Sequence, residues 1–352
     1  MEIICKSEII TNNKVSIKEL ADALDVSAAA VSLALSGKGN LSESSRKRII
    51  EKADEMGYTP SLQAKTLRKN NIRIAVVLPA EPEYICRKFK NGIRNAVNKF
   101  AGSKLECTVY EYKTTNEDAY AALLDILEKN YDGVILSLDD LSEEMCYSDL
   151  FDRFNSLNIP VMTMGNTLKH FRVCCASWID ARKGGEIAAD MFNLMGIKEV
   201  FLLMGSMFSS IHQRYAKGFA AAAKKYGIKI SDVGYTEDRP DITVRATLEK
   251  YPRDKKAGVF ITTCHSPSVC GALESLGISA PVIGMDLTPE TEEYLQSGRL
   301  AATICQHQTE QAERIAEKLL SAILSDNGNA PLDDIILEPY IVTAGSTKTP
   351  EY

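Results

Sequence analysis

The hydrophobic pattern of residues 16–35 predicts two short helices joined by a turn. Leu20 and Leu24 share one face of the first helix, and Val31 and Leu35 share one face of the second. This arrangement is typical of a helix-turn-helix, whose second helix enters the major groove of DNA. An ordinary helical hairpin within a core is the alternative interpretation.

Polar residues at the predicted helix ends support this division. Ser16 with Glu19 forms a capping-box pattern, and Ser27 can cap the second helix. Asp25 stands at the turn, where Asp tolerates a left-handed backbone better than most residues. Ser42 begins a third helix. We therefore expect a three-helix module.

The pattern changes around this module. Residues 1–15 are expected to be frayed, and residues 61–68 form a segment too short to be a stable helix on its own. From residue 72 onward, short apolar runs alternate with helical patterns. Such alternation predicts parallel sheets covered by helices.

The second part of the chain repeats itself. The run Ile74–Leu78, with Gly92 behind it, recurs 126 residues later as Val200–Met204 with Gly218. Two further matches follow in the same order, at offsets of 125 and 121 residues. We therefore predict two similar α/β lobes whose strand ends face one ligand cleft.

Composition narrows the class of protein. The 352 residues hold nine cysteines without framework spacing, and no apolar run is long enough to span a membrane. The N-terminus lacks a signal-peptide pattern, so a cytoplasmic protein that does not contact membranes is expected. Neither a metal site, a cofactor motif nor a catalytic motif is recognisable, so an enzyme is not expected.

Charge is divided unevenly along the chain. The net charge is −6, yet residues 1–71 carry two more basic than acidic side chains. This asymmetry permits a small DNA-facing module on an acidic body.

The chain resembles the LacI/GalR family of bacterial transcription regulators over nearly its whole length. The motifs that carry the resemblance are VSIKELADALDVSAAAVSLALSG, LSESSRKRIIEKADEMGYTP, SLQAKTLR, the R-x-x-G-F of Arg214 to Phe219, VIGMDL and ATICQ. The first three in series are highly specific. The resemblance implies a homodimer that binds a near-palindromic double-stranded DNA operator.

The resemblance also implies which residues meet DNA. The segment SLQAKTLR would be a hinge helix, with Leu67 wedged between base steps in the minor groove. A linker leucine that packs on the module is the alternative for Leu67. The residues expected at DNA are Lys18, Ser27, Ala28, Ala29, Ser32, Lys38, Arg46, Lys65 and Leu67.

The second helix departs from the family pattern. Ala28 and Ala29 stand where polar base-reading side chains are usual, and Leu33 stands where an arginine is common. Alanine can only touch a thymine methyl or allow close approach. We therefore expect operator selectivity to rest on Ser32, the hinge and DNA shape.

An effector site is expected at the strand ends of both lobes. The resemblance implies that Arg214 grips hydroxyls or carboxylates, with an ion pair between the lobes as the alternative. Asp286 could accept from hydroxyls or cap the following helix, and His265 could replace a family carboxylate or lie at the surface. The expected effector residues are Tyr84, Trp178, Arg214, His265, Asp286 and Gln306.

The expected fold is α/β: an N-terminal three-helix helix-turn-helix module and a two-lobed periplasmic-binding-protein-like (type I) domain with parallel sheets. The module should span residues 1–60, the hinge 61–71 and the effector and dimerisation domain 72–352. Lobe one would take about 72–175 and 306–333, and lobe two about 176–305 and 334–352. The expected function is a repressor whose operator affinity is controlled by a sugar or sugar derivative bound between the lobes. A solute-binding sensor of the same fold with weak or no DNA binding is the alternative.

Overall fold

The computed structural model describes most of the chain. The described residues are 6–11, 17–35, 41–56, 71–100, 104–113, 116–138, 147–165, 173–207, 209–253, 257–325 and 330–347.

Twelve α-helices are found in this part of the chain. They are α1 (Ile17–Leu24), α2 (Ala28–Leu35), α3 (Glu43–Glu55), α4 (Glu83–Lys99), α5 (Asn116–Glu128), α6 (Ser148–Ser156), α7 (Ala181–Leu194), α8 (Ser210–Tyr226), α9 (Pro240–Lys250), α10 (Ser266–Ser275), α11 (Pro289–Gln296) and α12 (Gln308–Ile323).

Thirteen strands accompany these helices within the described ranges. They are β1 (Lys6–Thr11), β2 (Asn71–Pro79), β3 (Lys104–Tyr112), β4 (Gly133–Leu136), β5 (Val161–Met164), β6 (Cys175–Ile179), β7 (Glu199–Met204), β8 (Lys229–Tyr235), β9 (Gly258–Ile261), β10 (Val282–Met285), β11 (Ala302–Cys305), β12 (Ile335–Leu337) and β13 (Tyr340–Val342).

The chain divides into two compact units. Unit 1 holds the described residues up to Leu138, those that continue to Ser177, and Gln308–Ile335; unit 2 holds Trp178–His307 and the described residues from Ile336 onward. The domain and lobe boundaries expected from the sequence stay a prediction.

Each unit is built on one sheet. The strand order is β1-β3-β2-β4-β5-β6-β12 in the first sheet and β13-β11-β10-β9-β7-β8 in the second. Strands β2 to β6 pair in parallel, as do β7 to β11. The predicted α/β architecture with parallel sheets is therefore confirmed.

Burial explains why these strands are so apolar. Residues 74–78 of β2 are fully buried, and so are Val259, Phe260 and Ile261 of β9. A parallel sheet with helices on both faces leaves no strand face for water, so its strands read as continuous hydrophobic runs.

The predicted repeat corresponds to real packing. An added Cβ at Gly92 of α4 would lie 2.1 Å from the carbonyl oxygen of Thr309 in α12. One at Gly218 of α8 would lie 1.9 Å from the carbonyl oxygen of Arg182 in α7. In both units, therefore, a glycine at the repeated position lets two helices touch through their backbones.

The expectation that residues 1–15 are frayed is wrong for residues 6–11. These residues form β1, which pairs antiparallel with β3 from Lys6↔Glu111 to Thr11↔Glu106. Ile10 is buried at 5% exposure, and the Glu8 carboxylate lies 3.2 Å from both Lys90 Nζ and Arg94 Nη2. These contacts with distant residues order a segment whose own sequence is unremarkable.

Candidate functional site

Helices α1 to α3 form a small module with its own core. The chain turns at Asp25, whose φ of 55° is left-handed as the sequence predicted, and the Val26 amide donates to the Ala21 carbonyl at 3.0 Å. The buried core residues are Leu20, Ala21, Leu24, Val31, Ala34, Ile49 and Ala53.

Two predicted helix caps are present in this module. The Ser27 hydroxyl accepts a hydrogen bond from the Ala30 amide at 3.2 Å, and the Ser42 hydroxyl accepts one from the Ser45 amide at 3.2 Å. Each bond satisfies an amide that lacks a partner inside its own helix. The predicted cap at Ser16 lies outside the described residues.

Helix α2 presents mostly small residues to solvent, together with the exposed Leu33. Val31 and Ala34 are buried on its inner face, whereas the predicted reading residues are exposed. Their methyl and hydroxyl groups leave the helix backbone open to close approach by a partner. These exposed residues are Ser27, Ala28, Ala29 and Ser32.

Two of the module's arginines have contacts within the module. The Arg46 guanidinium donates to the Ala34 carbonyl at 3.5 Å, and the Arg48 guanidinium donates to the Leu24 carbonyl at 3.3 Å. Both carbonyls belong to the last turns of helices, where cations are favoured. Lys18 is exposed. The remaining residues expected at DNA, Lys38, Lys65 and Leu67, lie outside the described residues.

The second candidate site is the carboxyl edge of the sheet in unit 2. Strands β7 to β11 run parallel, so their carboxyl ends meet at one edge, which is where open α/β sheets bind ligands. Polar side chains follow nearly every one of these strands. They include His212, Asp238, His265, Asp286 and Gln306.

Asp286 and Gln306 are joined at this edge. The Gln306 carboxamide donates to Asp286 Oδ2 at 3.0 Å, and Asp286 is only 2% exposed with a left-handed φ of 63°. Thr288 caps α11, because its side chain accepts from the Thr291 amide. Asp286 is therefore not that helix's cap, which removes the alternative role considered for it.

Two histidines meet around Asp238. His212 is buried, with Nδ1 3.0 Å from the Thr262 hydroxyl and Nε2 3.5 Å from Asp238 Oδ2. His265 Nε2 lies 2.9 Å from the backbone carbonyl of Asp238. A carbonyl can only accept, so this nitrogen of His265 carries the proton. An added Cβ at Gly205 would lie 2.4 Å from His212 Nε2, so a glycine is needed beside this ring.

Several buried hydroxyls near these residues have no hydrogen-bond partner among the described residues. They belong to Thr236, Thr263, Ser266 and Tyr215. Burial raises the pKa of the Tyr215 phenol, and the charge of Asp286 adds to the effect, so this hydroxyl stays neutral and able to donate.

The other predicted effector residues are placed as follows. Arg214 is half-buried on α8, and no ion pair joins it to another described residue. Trp178 is half-buried in β6, and Asp180 after it caps α7 by accepting from the Lys183 amide at 3.1 Å. Tyr84 lies in the first turn of α4 in unit 1.

Sequence reasoning missed His212 and Asp238. His212 reads as an ordinary helix residue, and Asp238 as part of a turn with left-handed φ at Glu237 and Asp238. The only available signal was position, since each follows a strand of the parallel sheet.

Two features are absent from the part of the chain that the structure describes, a metal site and a membrane-spanning helix. No group of three histidine, cysteine or acidic side chains there is arranged to hold a metal ion. None of its helices has the length and apolar character required to cross a membrane.

Family comparisons agree with these two regions. Residues 74–327 match the periplasmic binding protein domain, and residues 16–61 match the bacterial regulatory proteins of the lacI family. A helix-turn-helix reader joined to a periplasmic-binding-protein fold defines a class of DNA-binding transcriptional regulators. The chain belongs to the lacI family of such regulators.

Individual relatives are distant but cover the chain. The transcriptional regulator DegA of Bacillus subtilis is 23% identical over 343 residues, 95% of this chain and 98% of the relative. The structure of a transcriptional regulator CelR–cellobiose complex matches with a TM-score of 0.65 at 16% identity, covering 95% of this chain and all of that one. The glucose-galactose binding protein GanP of Geobacillus stearothermophilus matches with a TM-score of 0.67 at 21% identity, over 79% of this chain and 99% of its own. The two structures show a shared fold.

Proposed function

We propose that this regulator is a repressor that binds a near-palindromic operator as a homodimer and is controlled by a sugar or sugar derivative. The observation that carries the effector assignment is the polar carboxyl edge of unit 2. There a buried carboxylate, a carboxamide and two imidazoles follow successive strands of one sheet.

The chemistry of this edge suits a polyhydroxylated molecule. Asp286 accepts hydrogen bonds, Gln306 both donates and accepts, and Arg214 offers a planar set of donors for hydroxyls or a carboxylate. The CelR relative is described in complex with cellobiose, and a further structural relative from Caulobacter in complex with myo-inositol. These ligands support a sugar, polyol or sugar acid as the effector of this chain.

The two histidines extend this class toward anions. The pair at Asp238 adds imidazole nitrogens, whose N–H groups can donate hydrogen bonds to a carboxylate or a phosphate. A sugar acid or sugar phosphate is therefore included in the proposed effector class.

Control of DNA binding follows from differential affinity. An effector shifts the regulator between DNA-bound and released states only if it binds one of them more tightly. Trp178, Tyr84 and the DNA contacts of Lys38, Lys65 and Leu67 stay predictions within this scheme. A DNA-binding regulator acts in the compartment that holds the chromosome, so we place it in the cytoplasm and expect no catalytic turnover.

The effector is testable by thermal stability. The purified chain would be heated with cellobiose, myo-inositol, galacturonate and glucose 6-phosphate in turn, since a ligand of the native state raises the melting temperature with its concentration. The proposal expects at least one of these compounds to do so and to be recovered unchanged. If none of them stabilises the chain, the proposed effector class is wrong.

A further inference from the structure

The strand β1 gives the DNA-reading module, α1 to α3, a second connection to the sheet of unit 1, besides the strand β2 that follows the module. It lies before the module in sequence, and six residue pairs join it to β3. Within β1, Ile10 is buried, and Glu8 pairs with both Lys90 and Arg94 of α4. The module, α1 to α3, is thus bounded by a strand of unit 1 on both sides.

The pairing register shows where these two connections begin. Thr11 lies opposite Glu106 on one side of β3, and Arg73 of β2 lies opposite the same residue on the other side. Neighbouring strands are about 4.8 Å apart, so Thr11 and Arg73 are separated by roughly 10 Å. The chain leaves the sheet for the module and returns from it at the same end of that sheet.

The two connections differ in length. Five residues, 12–16, separate β1 from α1, whereas fourteen residues, 57–70, separate Met56 from β2. An extended chain spans at most about 3.5 Å per residue, so these segments can reach about 20 Å and about 50 Å. While β1 is paired, the shorter segment limits how far the module moves from the sheet.

The exposed face of α2 explains why restraining the module would matter for DNA binding. Ala28 and Ala29 are exposed and offer no side-chain donors or acceptors to bases. A reader with few strong base contacts loses a larger share of its affinity to the entropy of being ordered on DNA. Holding a binding surface in place before binding reduces that cost.

We propose that β1 is a second anchor that positions the DNA-reading module, and that its pairing with β3 increases operator affinity. Glu8 and Ile10 act as positioning residues, because they hold β1 and do not meet DNA themselves. The proposal rests on the DNA-binding function of the family and adds a regulatory contact to it.

The test uses a matched pair of substitutions in the full chain. Ile10→Asp places a charge at the buried position, and Ile9→Asp places the same charge at its neighbour, which is 62% exposed. The DNA probe is a duplex that the wild-type chain selects from a random-sequence library. Amide hydrogen exchange of residues 104–112 reports whether β1 has left β3, and circular dichroism reports whether α1 to α3 remain folded.

The expected result is selective. Ile10→Asp should accelerate exchange in residues 104–112 and weaken binding of the selected duplex about tenfold, with the helical signal retained. Ile9→Asp should stay within about twofold of wild type, and Ile10→Val should bind like wild type.

Results that contradict the role of β1 can be distinguished from a failure of DNA binding itself. A wild-type chain that selects no duplex would remove the DNA-binding function itself. If wild type selects a duplex and Ile10→Asp binds it equally or more tightly, the positioning role is wrong. If the double variant Glu8→Lys, Ile10→Asp still protects residues 104–112, these contacts do not hold β1 and the proposal also fails.

Discussion

The two α/β units share one strand order and differ in a few features. Strands β3-β2-β4-β5-β6 of unit 1 follow the same order as β8-β7-β9-β10-β11 of unit 2. The glycines at 92 and 218 make the same close helix contact in each. The units differ in two respects. Strand β1 pairs with β3 as a second partner, whereas no described strand pairs with β8 in this way. The strand ends of unit 2 also carry the buried acid Asp286.

One position shows the second difference clearly. Gly165 follows β5 with a φ of 83° and donates its amide to the Ser177 carbonyl at 2.8 Å. Asp286 follows β10 with a φ of 63° and donates its amide to the Ile304 carbonyl at 2.8 Å. The same backbone turn is thus made by glycine in unit 1 and by a strained acid in unit 2. Strain at a non-glycine residue is typical of functional sites.

The largest expected effect comes from the shared glycines. Gly218→Ala and Gly92→Ala each force a Cβ against a helix backbone, so we expect each to reduce the free energy of unfolding by about 3 kcal/mol. Urea unfolding measures this.

Gly271→Ala is the matched control for these two. Gly271 lies in helix α10, and no described atom beyond its own stretch of helix lies within 4 Å of an added Cβ, so alanine should stabilise by roughly 0.5–1 kcal/mol. Equal effects at all three glycines would mean that the repeated contact is not what these residues serve.

The next largest effect is expected at Asp286, where a substitution should change effector affinity but hardly change stability. Asp286→Gly copies the residue of unit 1, so unfolding should change by less than about 1 kcal/mol, since relief of strain offsets the lost bond to Gln306. Effector affinity should fall by about 10- to 100-fold, because a charge-assisted hydrogen bond contributes about 1.5–3 kcal/mol. Calorimetric titration with the compound that raises the melting temperature measures the effector affinity of both the variant and the wild type.

Asp286→Asn completes this comparison. Asparagine tolerates the left-handed backbone but carries no charge, so it should lose effector affinity as glycine does. Unchanged affinity in both variants would exclude Asp286 from the effector site.

A smaller effect concerns the sheet edges. Strand β3 is paired on both sides, whereas β8 pairs only with β7 among the described strands. Amide protons of residues 229–235 should therefore exchange about tenfold faster than those of residues 104–112. Equal rates at the two edges would indicate that β1 does not remain paired in solution.

The smallest expected difference is in the reactivity of two buried thiols, one in each unit. Burial raises the pKa of Cys86 in unit 1 to about 12, with Glu111 adding to the effect, and burial raises the pKa of Cys270 in unit 2 to about 12. Thiolate is the reactive form, so both should resist iodoacetamide at pH 8 equally. Mass spectrometry of the peptides measures this, and rapid modification of either one would show that its unit opens.

The sequence predicted what depends on local spacing. Asp25, Ser27 and Ser42 in the module adopt the predicted turn and caps, because each acts on residues within three or four positions. The repeat at 126 residues likewise predicted two similar α/β units, and the matching glycines, Gly92 and Gly218, make the same helix contact in each.

What escaped prediction depends on distant partners. The segment KSEIIT becomes a strand only because β3, about a hundred residues later, offers an open edge. His212 and Asp238 meet because the sheet order places β7 beside β8, and no local pattern records that order.

Operator affinity measured against effector concentration at constant salt tests the central claim most directly. The DNA probe is the duplex that the wild-type chain selects, and the effector is the compound that raises the melting temperature. The account predicts that this compound changes the affinity at least about tenfold, which is the usual size of coupling between two sites. A selected duplex whose affinity is unaffected by every stabilising compound would contradict it.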